Sequence, residues 1–353
     1  MSSSIPTTQK ALFIESPKGA WAVKSHSVPT PGAGEVLVRV EAAALNPVDW
    51  KVHDFDFFIA EYPAIIGIDS AGVVVALGDG VENVKVGDKV LHAASRGPRA
   101  AFQQYAIASA HLVAKVPPSI SLDEAASIPI AVNTAAVGLY TSHAQGVGAG
   151  VGLTAPWKAG ASGKYAGQPI LVIGGSSAVG QSSSLPNFPV SAPSLLSSRR
   201  PTTLSSLPWV PPTPSTVTSP SLRLLNSIRK ITSKPLSVVF DAVSNAATQA
   251  AGYQVLGDGG SLLILQPITI KDEEKVEGKR VLNVLGGPTL AREAEFAGEL
   301  WAHLSEYLEK GVIKPNRIEV VPGGLAGIPD GLDRLRKDQV SGQKLVVHPQ
   351  ETV

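Results

Sequence analysis

The run Pro169-Ile-Leu-Val-Ile173 passes directly into Gly174-Gly-Ser-Ser-Ala-Val-Gly180, and no other junction in the 353-residue chain narrows the possible folds as far. A short, wholly apolar run that ends in glycines reads as a parallel strand covered on both faces. Similar runs recur at Leu236 to Phe240, Ser261 to Leu265 and Val281 to Leu285, so the second half reads as an α/β sheet. Within the junction, Gly175-x-Ser177-x-x-Gly180 has the spacing of a dinucleotide-binding turn with serine at the middle position. The first glycine permits a tight turn, the middle residue lets backbone approach a pyrophosphate, and the last lets the next helix lie against the strand. A serine there can still donate its hydroxyl to a phosphate. Ordinary Gly/Ser turns share this spacing, so its weight comes from the surrounding sequence.

The first third has a different texture. Glu35-Val-Leu-Val-Arg-Val-Glu41 alternates, placing Val36, Val38 and Val40 on one face of a strand. Further strands are expected at Ala71 to Leu77 and Lys89 to Ala93, with Gly78-Asp79-Gly80 and Gly87-Asp88 as turns. Helices begin near Leu122, where Ser121-Leu-Asp-Glu124 has the form of a capping box before an Ala-rich stretch to Tyr140. Late in the chain, Phe296, Leu300, Trp301, Leu304, Tyr307 and Leu308 recur at helical spacing until Gly311. That stripe reads as core packing.

Composition removes several function classes. With 30 basic against 29 acidic residues there is no long-range field to gather nucleic acid or an anionic membrane, which favours a small-molecule substrate. The chain has no cysteine, so disulfides, thiolate nucleophiles and sulfur-ligated zinc are excluded. Its seven histidines stand at no metal-ligand spacing. The polar start, Met1 to Lys10, resembles neither a signal nor a transit peptide, and no run of about 18 apolar residues is present. A cytoplasmic protein is expected. Neither a Gly-x-Ser-x-Gly element nor a P-loop occurs.

Several segments carry a family resemblance. They are Leu45-Asn-Pro-Val-Asp-Trp-Lys51, Pro63-Ala-Ile-Ile-Gly-Ile-Asp-Ser-Ala-Gly72, Val86-Gly-Asp-Lys-Val90, Glu124-Ala-Ala-Ser-Ile-Pro129, Asn133-Thr134 and Val340-Ser-Gly-Gln-Lys-Leu-Val-Val347. In this order the chain resembles the medium-chain dehydrogenase/reductase superfamily, and within it the zinc-free fungal trans-acting enoyl reductases that work beside polyketide synthases. The resemblance implies a chaperonin-10-like β-barrel domain over 1–128 and 289–353. A Rossmann domain with a doubly wound parallel sheet would occupy 129–288, with the active site between the two. It also implies NADPH as cofactor, an enoyl thioester or carrier-bound polyketide intermediate as substrate, and a polyketide synthase as partner. A quinone or enone reductase is the alternative among enzymes.

Residue roles follow from the same resemblance. Gly175, Ser176, Ser177, Val179 and Gly180 would hold the pyrophosphate. Asn46, Lys51 and Thr134 would lie beside the nicotinamide or the substrate, and Gly286-Gly287-Pro288 would contact the carboxamide side of the cofactor. Lys51 would donate to the developing oxyanion or hold an acyl-carrier arm; an exposed surface lysine is the plainer alternative. Tyr62 resembles the proton-donating tyrosine of related enoyl thioester reductases, at a longer spacing from Asn46. Zinc-dependent members have cysteine where Asn46-Pro47 stands and histidine at Ile68, so the resemblance implies no metal here. Hydride would then go to an acceptor already activated by conjugation.

One stretch fits none of this. Ser182 to Ser221 holds 12 Ser, 9 Pro and 5 Thr in 40 residues, with no glycine or acid, and it is expected to be irregular. Pro186, Pro189 and Pro193 fall where the helix after the glycine turn must run, and each interior proline costs about 3 kcal/mol or more. Arg199 and Arg200 stand where a 2′-phosphate partner could lie. An inactive homologue with an impaired cofactor site is therefore a further alternative. Family-like sequence resumes at Ile228-Arg-Lys-Ile-Thr-Ser-Lys-Pro235, which suggests a pair of compensating reading-frame shifts near Gln181 and Leu222. Sequencing the transcript checks this: the alternative frame should encode an amphipathic helix followed by an apolar strand, and a frame encoding neither rejects it.

Overall fold

A computed structural model describes residues 5–93, 96–142, 149–183, 228, 230, 232–287 and 294–353. The expectations for residues 184–221, including Arg199 and Arg200, therefore lie outside the described residues. The chain forms two compact units, Met1–Ile130 with Gly287–Val353, and Ala131–Gly286.

In the first unit, β1 (Thr8–Ile14) pairs antiparallel with β2 (Trp21–Ser27) and with β4 (Ala64–Ile65). A larger sheet is built around β3 (Glu35–Ala44), which pairs antiparallel with β5 (Asp69–Leu77) and β7 (Tyr105–Ser109). From β5 the sheet continues to β6 (Lys89–Ala93) and β8 (Val113–Lys115). Strand β3 was expected to bury one face only. Instead Leu37 is as buried as Val36 and Val38, and the pairing with β5 shifts register between Leu37 and Val38 and again between Val40 and Ala42. Such shifts bend a strand. Val36 and Val38 thereby join a cluster with Val74, Val84 and Val90, while Val40 joins Leu12, Leu45 and Phe102.

Between β3 and β4 runs the helix α1 (Pro47–Phe55), started by a proline at its first position. Helix α2 (Leu122–Ala126) opens on the expected capping box: Glu124 N donates to Ser121 Oγ and Ser121 N to Glu124 Oε2. The Ala-rich stretch is not one helix. It breaks after Ala126 and resumes as α3 (Pro129–Tyr140), because Pro129 has no N–H to continue the ladder and is accepted at a helix start.

The second unit holds β9 (Ile170–Ile173), α4 (Ala178–Ser182), β10 (Leu236–Asp241), α5 (Ala246–Gln254), β11 (Leu256–Ile264) and β12 (Arg280–Asn283). The four strands are parallel, and among the described residues their order is β12-β11-β10-β9. The sheet is thus the Rossmann-like parallel sheet expected from the apolar runs. Strand β9 is its edge among these residues. Helix α3 lies close on the sheet through Gly138, where a Cβ would come within 3.0 Å of Phe240 and 3.1 Å of Val284.

The chain then returns to the first unit through α6 (Ala294–Glu309), β13 (Ile318–Val320), α7 (Ile328–Arg336) and β14 (Lys344–Val347). The stripe on α6 buries Leu300, Trp301, Leu304 and Leu308, and Gly311 in the left-handed region follows its end. Strand β14 pairs antiparallel with the end of β3, which brings Leu345 beside Leu45 and Lys344 beside Asn46. Phe102 is wholly buried in the cluster this creates, under Gly67, whose backbone leaves no space for a Cβ above the ring. Replacing Phe102 with Ala is expected to destabilise the unit by about 3–5 kcal/mol, read from equilibrium denaturant unfolding; a loss below about 1 kcal/mol rejects this packing.

Candidate active site

In the second unit the glycine turn is built from its own backbone. Gly174 takes the left-handed region with φ 78°, and its carbonyl accepts Ser177 N–H at 2.8 Å. Ser177 caps α4, with its Oγ accepting Gly180 N–H at 3.1 Å. A Cβ on Gly180 would lie 2.3 Å from the Gly174 carbonyl oxygen and 2.8 Å from Gly175 Cα, so helix start and turn touch as only glycine allows. Gly175, Ser176, Ser177, Val179 and Gly180 therefore sit together at the carboxyl end of β9.

The neighbouring strand ends in a second locked turn that the sequence reading missed. Asp241 Oδ1 accepts the N–H groups of Val243, at 3.0 Å, and Ser244, at 2.8 Å. Burial pushes the Asp241 carboxyl above its ordinary range, and these bonds oppose the shift. Ser244 holds φ 58°, accepts Leu265 N–H at 2.8 Å on its hydroxyl, and gives its carbonyl to Gln249 Nε2 at 2.9 Å. A Cβ on Gly174 would lie 2.6 Å from Val243 Cγ2, so the turns after β9 and β10 are in contact. The sequence signal was present in the Phe240-Asp241 strand end followed by Ser244-Asn245, a turn and a helix cap.

Thr134 and Gly286 also meet in this unit. A Cβ on Gly286 would fall 2.3 Å from Thr134 Cα and 2.5 Å from Thr134 Oγ1. Gly287 follows, while Pro288 lies outside the described residues. Beside Thr134, Asn133 is wholly buried, and among the described residues neither its side-chain oxygen nor its nitrogen has a hydrogen-bond partner. An unpaired buried amide is costly and calls for a cause.

Of the residues expected in the first unit, Asn46 belongs to a buried polar cluster. Lys344 Nζ donates to Asn46 Oδ1 at 2.6 Å and to Asp69 Oδ2 at 2.9 Å. Asn46 Nδ2 donates to the same Asp69 oxygen at 3.1 Å, so both ends of its amide are engaged by protein. The other Asp69 oxygen accepts Ile130 N–H, at 2.8 Å, in the first turn of α3. Asp49 Oδ2 accepts Asn46 N–H at 2.8 Å. Nearby, Ser70 Oγ bonds His92 Nε2 at 2.9 Å, and burial pushes His92 down to about 4, which leaves it neutral. Lys344 lies inside the Val340 to Val347 motif, and no spacing rule links it to Asn46.

Lys51 lies further along α1, and Tyr62 just before β4. Lys51, on α1, is half-buried, and loss of solvent lowers its ammonium from the ordinary lysine range while Asp338 partly restores it. Its Nζ lies 5.5 Å from the centre of the Trp50 ring. Tyr62 donates its hydroxyl to Asp56 at 2.5 Å, and partial burial together with that carboxylate pushes the phenol up to about 12. Among the described residues no group of three or more His, Asp or Glu side chains is placed to hold a metal ion. No described helix is long and apolar enough to cross a membrane.

Comparison with known proteins decides the family. Residues 32–118 match the alcohol dehydrogenase GroES-like domain. The trans-enoyl reductase himH of Aspergillus japonicus is 32% identical over 337 residues, covering 89% of each chain. The chain belongs to the trans-enoyl reductase family. Within that family it is 27% identical to lovC of Aspergillus terreus, the enoyl reductase component of lovastatin nonaketide synthase, over 97% of this chain and 96% of that one. Among solved structures, an alcohol dehydrogenase superfamily protein from Novosphingobium aromaticivorans superposes with TM-score 0.69 at 21% identity, covering 96% of this chain and 99% of that one. The CurF ER cyclopropanase of the curacin A pathway gives 0.66 at 20%, covering 97% and 99%. These two share the medium-chain dehydrogenase fold.

Membership in this oxidoreductase family implies a nicotinamide cofactor. The residues present fit its diphosphate: a turn that only glycines can close, at the carboxyl end of a parallel strand and beside a helix cap.

The buried cluster makes stability depend on pH. Burial, reinforced by Asp69, pushes Asp49 up to about 7, against the opposing pull of the Asn46 N–H and Lys344. The native state then binds the Asp49 proton more tightly than the unfolded chain. Its stabilising effect is complete below the unfolded carboxylate range and is lost as pH rises through about 7. Relative to Asp49→Asn, the wild type should lose stability as pH rises from about 5 to about 8, read as a shift in denaturation midpoints. A difference that stays flat across this range rejects the buried proton.

Proposed function

We propose that the chain catalyses NADPH-dependent, metal-independent reduction of an activated C=C bond, the acceptor being an enoyl thioester such as a polyketide intermediate. The observation that carries the reading is the closed glycine turn at the end of β9, where Gly180 rests on the Gly174 carbonyl. The names of its relatives, trans-enoyl reductases and the enoyl reductase component lovC, support the acceptor and a polyketide synthase working in trans with this chain.

Gly175, Ser176, Ser177, Val179 and Gly180 would hold the diphosphate, with Thr134 and the Gly286-Gly287 turn at the nicotinamide end. The unpaired Asn133 amide adds a donor and an acceptor beside Thr134. When bound, the cofactor supplies the hydride. Lys51 would donate to the oxygen of the enoyl carbonyl as charge develops on it. Partial loss of solvent destabilises its ammonium, which makes it a better donor than a solvated lysine. Tyr62 keeps its proton at neutral pH because Asp56 accepts from it, and it would return that proton to the α-carbon only as the carboxylate lets go. Asn46 acts through position: its amide is committed to Lys344 and Asp69, and it begins the helix that carries Lys51.

The chain has no cysteine, and Asn46 and Ile68 stand where zinc-dependent members have ligands, which supports chemistry without a Lewis acid. The test is oxidation of NADPH by the purified protein with a trans-2-enoyl pantetheine thioester after exhaustive chelation. Turnover that survives chelation and falls by about 100-fold or more in Lys51→Met supports the reading. No turnover with any enoyl thioester, or turnover only with quinones, overturns it, and failure to bind NADPH makes the chain an impaired homologue.

A further inference from the structure

Residues 50–62 of the first unit carry an aromatic feature that neither the cofactor turn nor the buried cluster uses. Phe55 is 62% exposed and Phe58 49% exposed, values far from ordinary for phenylalanine. They are not loose. Trp50 stacks at a tilt on Phe55 with ring centres 5.9 Å apart, and Phe57 meets Phe58 edge-on at 4.9 Å. Trp50, Phe57 and Tyr62 in turn pack against the buried core cluster. The turn therefore has an anchored inner row of rings and an outward pair.

Two residues of this turn, Asp56 and Phe58, hold the left-handed region at φ 54° and 63°. Bulky side chains rarely adopt it, and where they do the strain commonly marks a binding surface. A glycine at position 58 would relieve the strain but remove the exposed ring. Asp56 accepts from Tyr62, and the Arg96 guanidinium lies 5.2 Å from the centre of the Phe58 ring.

The feature also has a direction. Lys51 Nζ lies over Trp50, Trp50 touches Phe55, and α1 ends there. An apolar path thus leads from the lysine assigned to the acyl oxygen out to solvent.

We propose that Phe55, reached through Trp50, and Phe58, three residues further along the same turn, form the acyl-chain subsite, and that they make the enzyme select long apolar enoyl chains over short ones. This rests on the reading of Lys51 and the enoyl thioester given above. An alkyl or polyene chain is the occupant the area favours. Two exposed rings offer at most about 400 Å², whereas a protein partner buries about 800 Å² on each side. Lys51 lies over the Trp50 ring and Arg96 over the Phe58 ring, so the aromatic face suits an uncharged chain whose electron-rich carbonyl end lies at Lys51.

Two measurements test it on the full-length protein. Saturated acyl-pantetheines of four to ten carbons are titrated against tryptophan fluorescence, and the matching trans-2-enoyl thioesters are followed by NADPH oxidation. In the wild type, affinity and kcat/KM should each rise about two- to fourfold per added methylene. In the Phe55→Ser/Phe58→Ser double variant the ratio of ten-carbon to four-carbon substrate should fall close to one in both assays, with an unchanged thermal midpoint showing that the fold is kept. An unchanged ratio overturns the subsite, whether all lengths weaken together or only a carrier-protein-borne substrate loses affinity. If acyl chains bind with the predicted length dependence but no NADPH is oxidised, the subsite stands and the enzymatic reading fails.

Discussion

The contact on which the first unit most depends is the one between Lys344 and Asp69. A single carboxylate, wholly buried, accepts from the ammonium of the last strand, the amide of Asn46 at the start of α1 and the backbone of Ile130 at the start of α3. Removing either charge would strand the other away from water, a loss of about 3–5 kcal/mol. Such a pair adds little net stability over well-packed apolar side chains. What it does instead is direct. Asn46 has one rotamer in which oxygen faces a cation and nitrogen faces a carboxylate, and that rotamer begins the helix carrying Trp50 and Lys51.

The diphosphate site proposed in the second unit poses a different problem, which is to bring backbone close to a polyanion. That problem would be met by leaving out side chains. Gly180 rests on the Gly174 carbonyl, Gly174 rests on Val243, and Gly286 rests on Thr134, each at a distance that excludes a Cβ. The neighbouring turn is held by side-chain bonds from Asp241, Ser244 and Gln249, which keep the end of β10 from shifting. A preorganised rim of this kind avoids reorganisation when charge arrives.

Trans-acting enoyl reduction asks a small enzyme to accept an acyl chain made elsewhere. On the proposed reading, the turn at residues 55–62 would meet that need with rings held outward at conformational cost, on the segment that follows Lys51, whose ammonium is lowered from its ordinary range by burial. In the proposed reaction, conjugation to a thioester would already make the β-carbon electrophilic, so a hydrogen bond to the carbonyl would suffice where an alcohol dehydrogenase needs a metal.

Much of this was legible in the chain itself. The strand-to-glycine junction at Ile173-Gly174, the capping box of Ser121 and Glu124, and the apolar stripe of α6 all depend on chemistry within a few residues, so period and spacing reveal them. The double burial of β3 was not, because register shifts depend on the partner strand. Nor was the break at Pro129, where an alanine-rich pattern masked a missing donor. Lys344 lies 298 residues from Asn46 and 275 from Asp69, and Gly286 meets Thr134 only when a loop returns to a helix. Local sequence determined which elements form, since hydrogen bonds and side-chain periodicity act along the chain. Tertiary structure alone decided which polar groups share a buried site, since desolvation and ion pairing depend on distance through space.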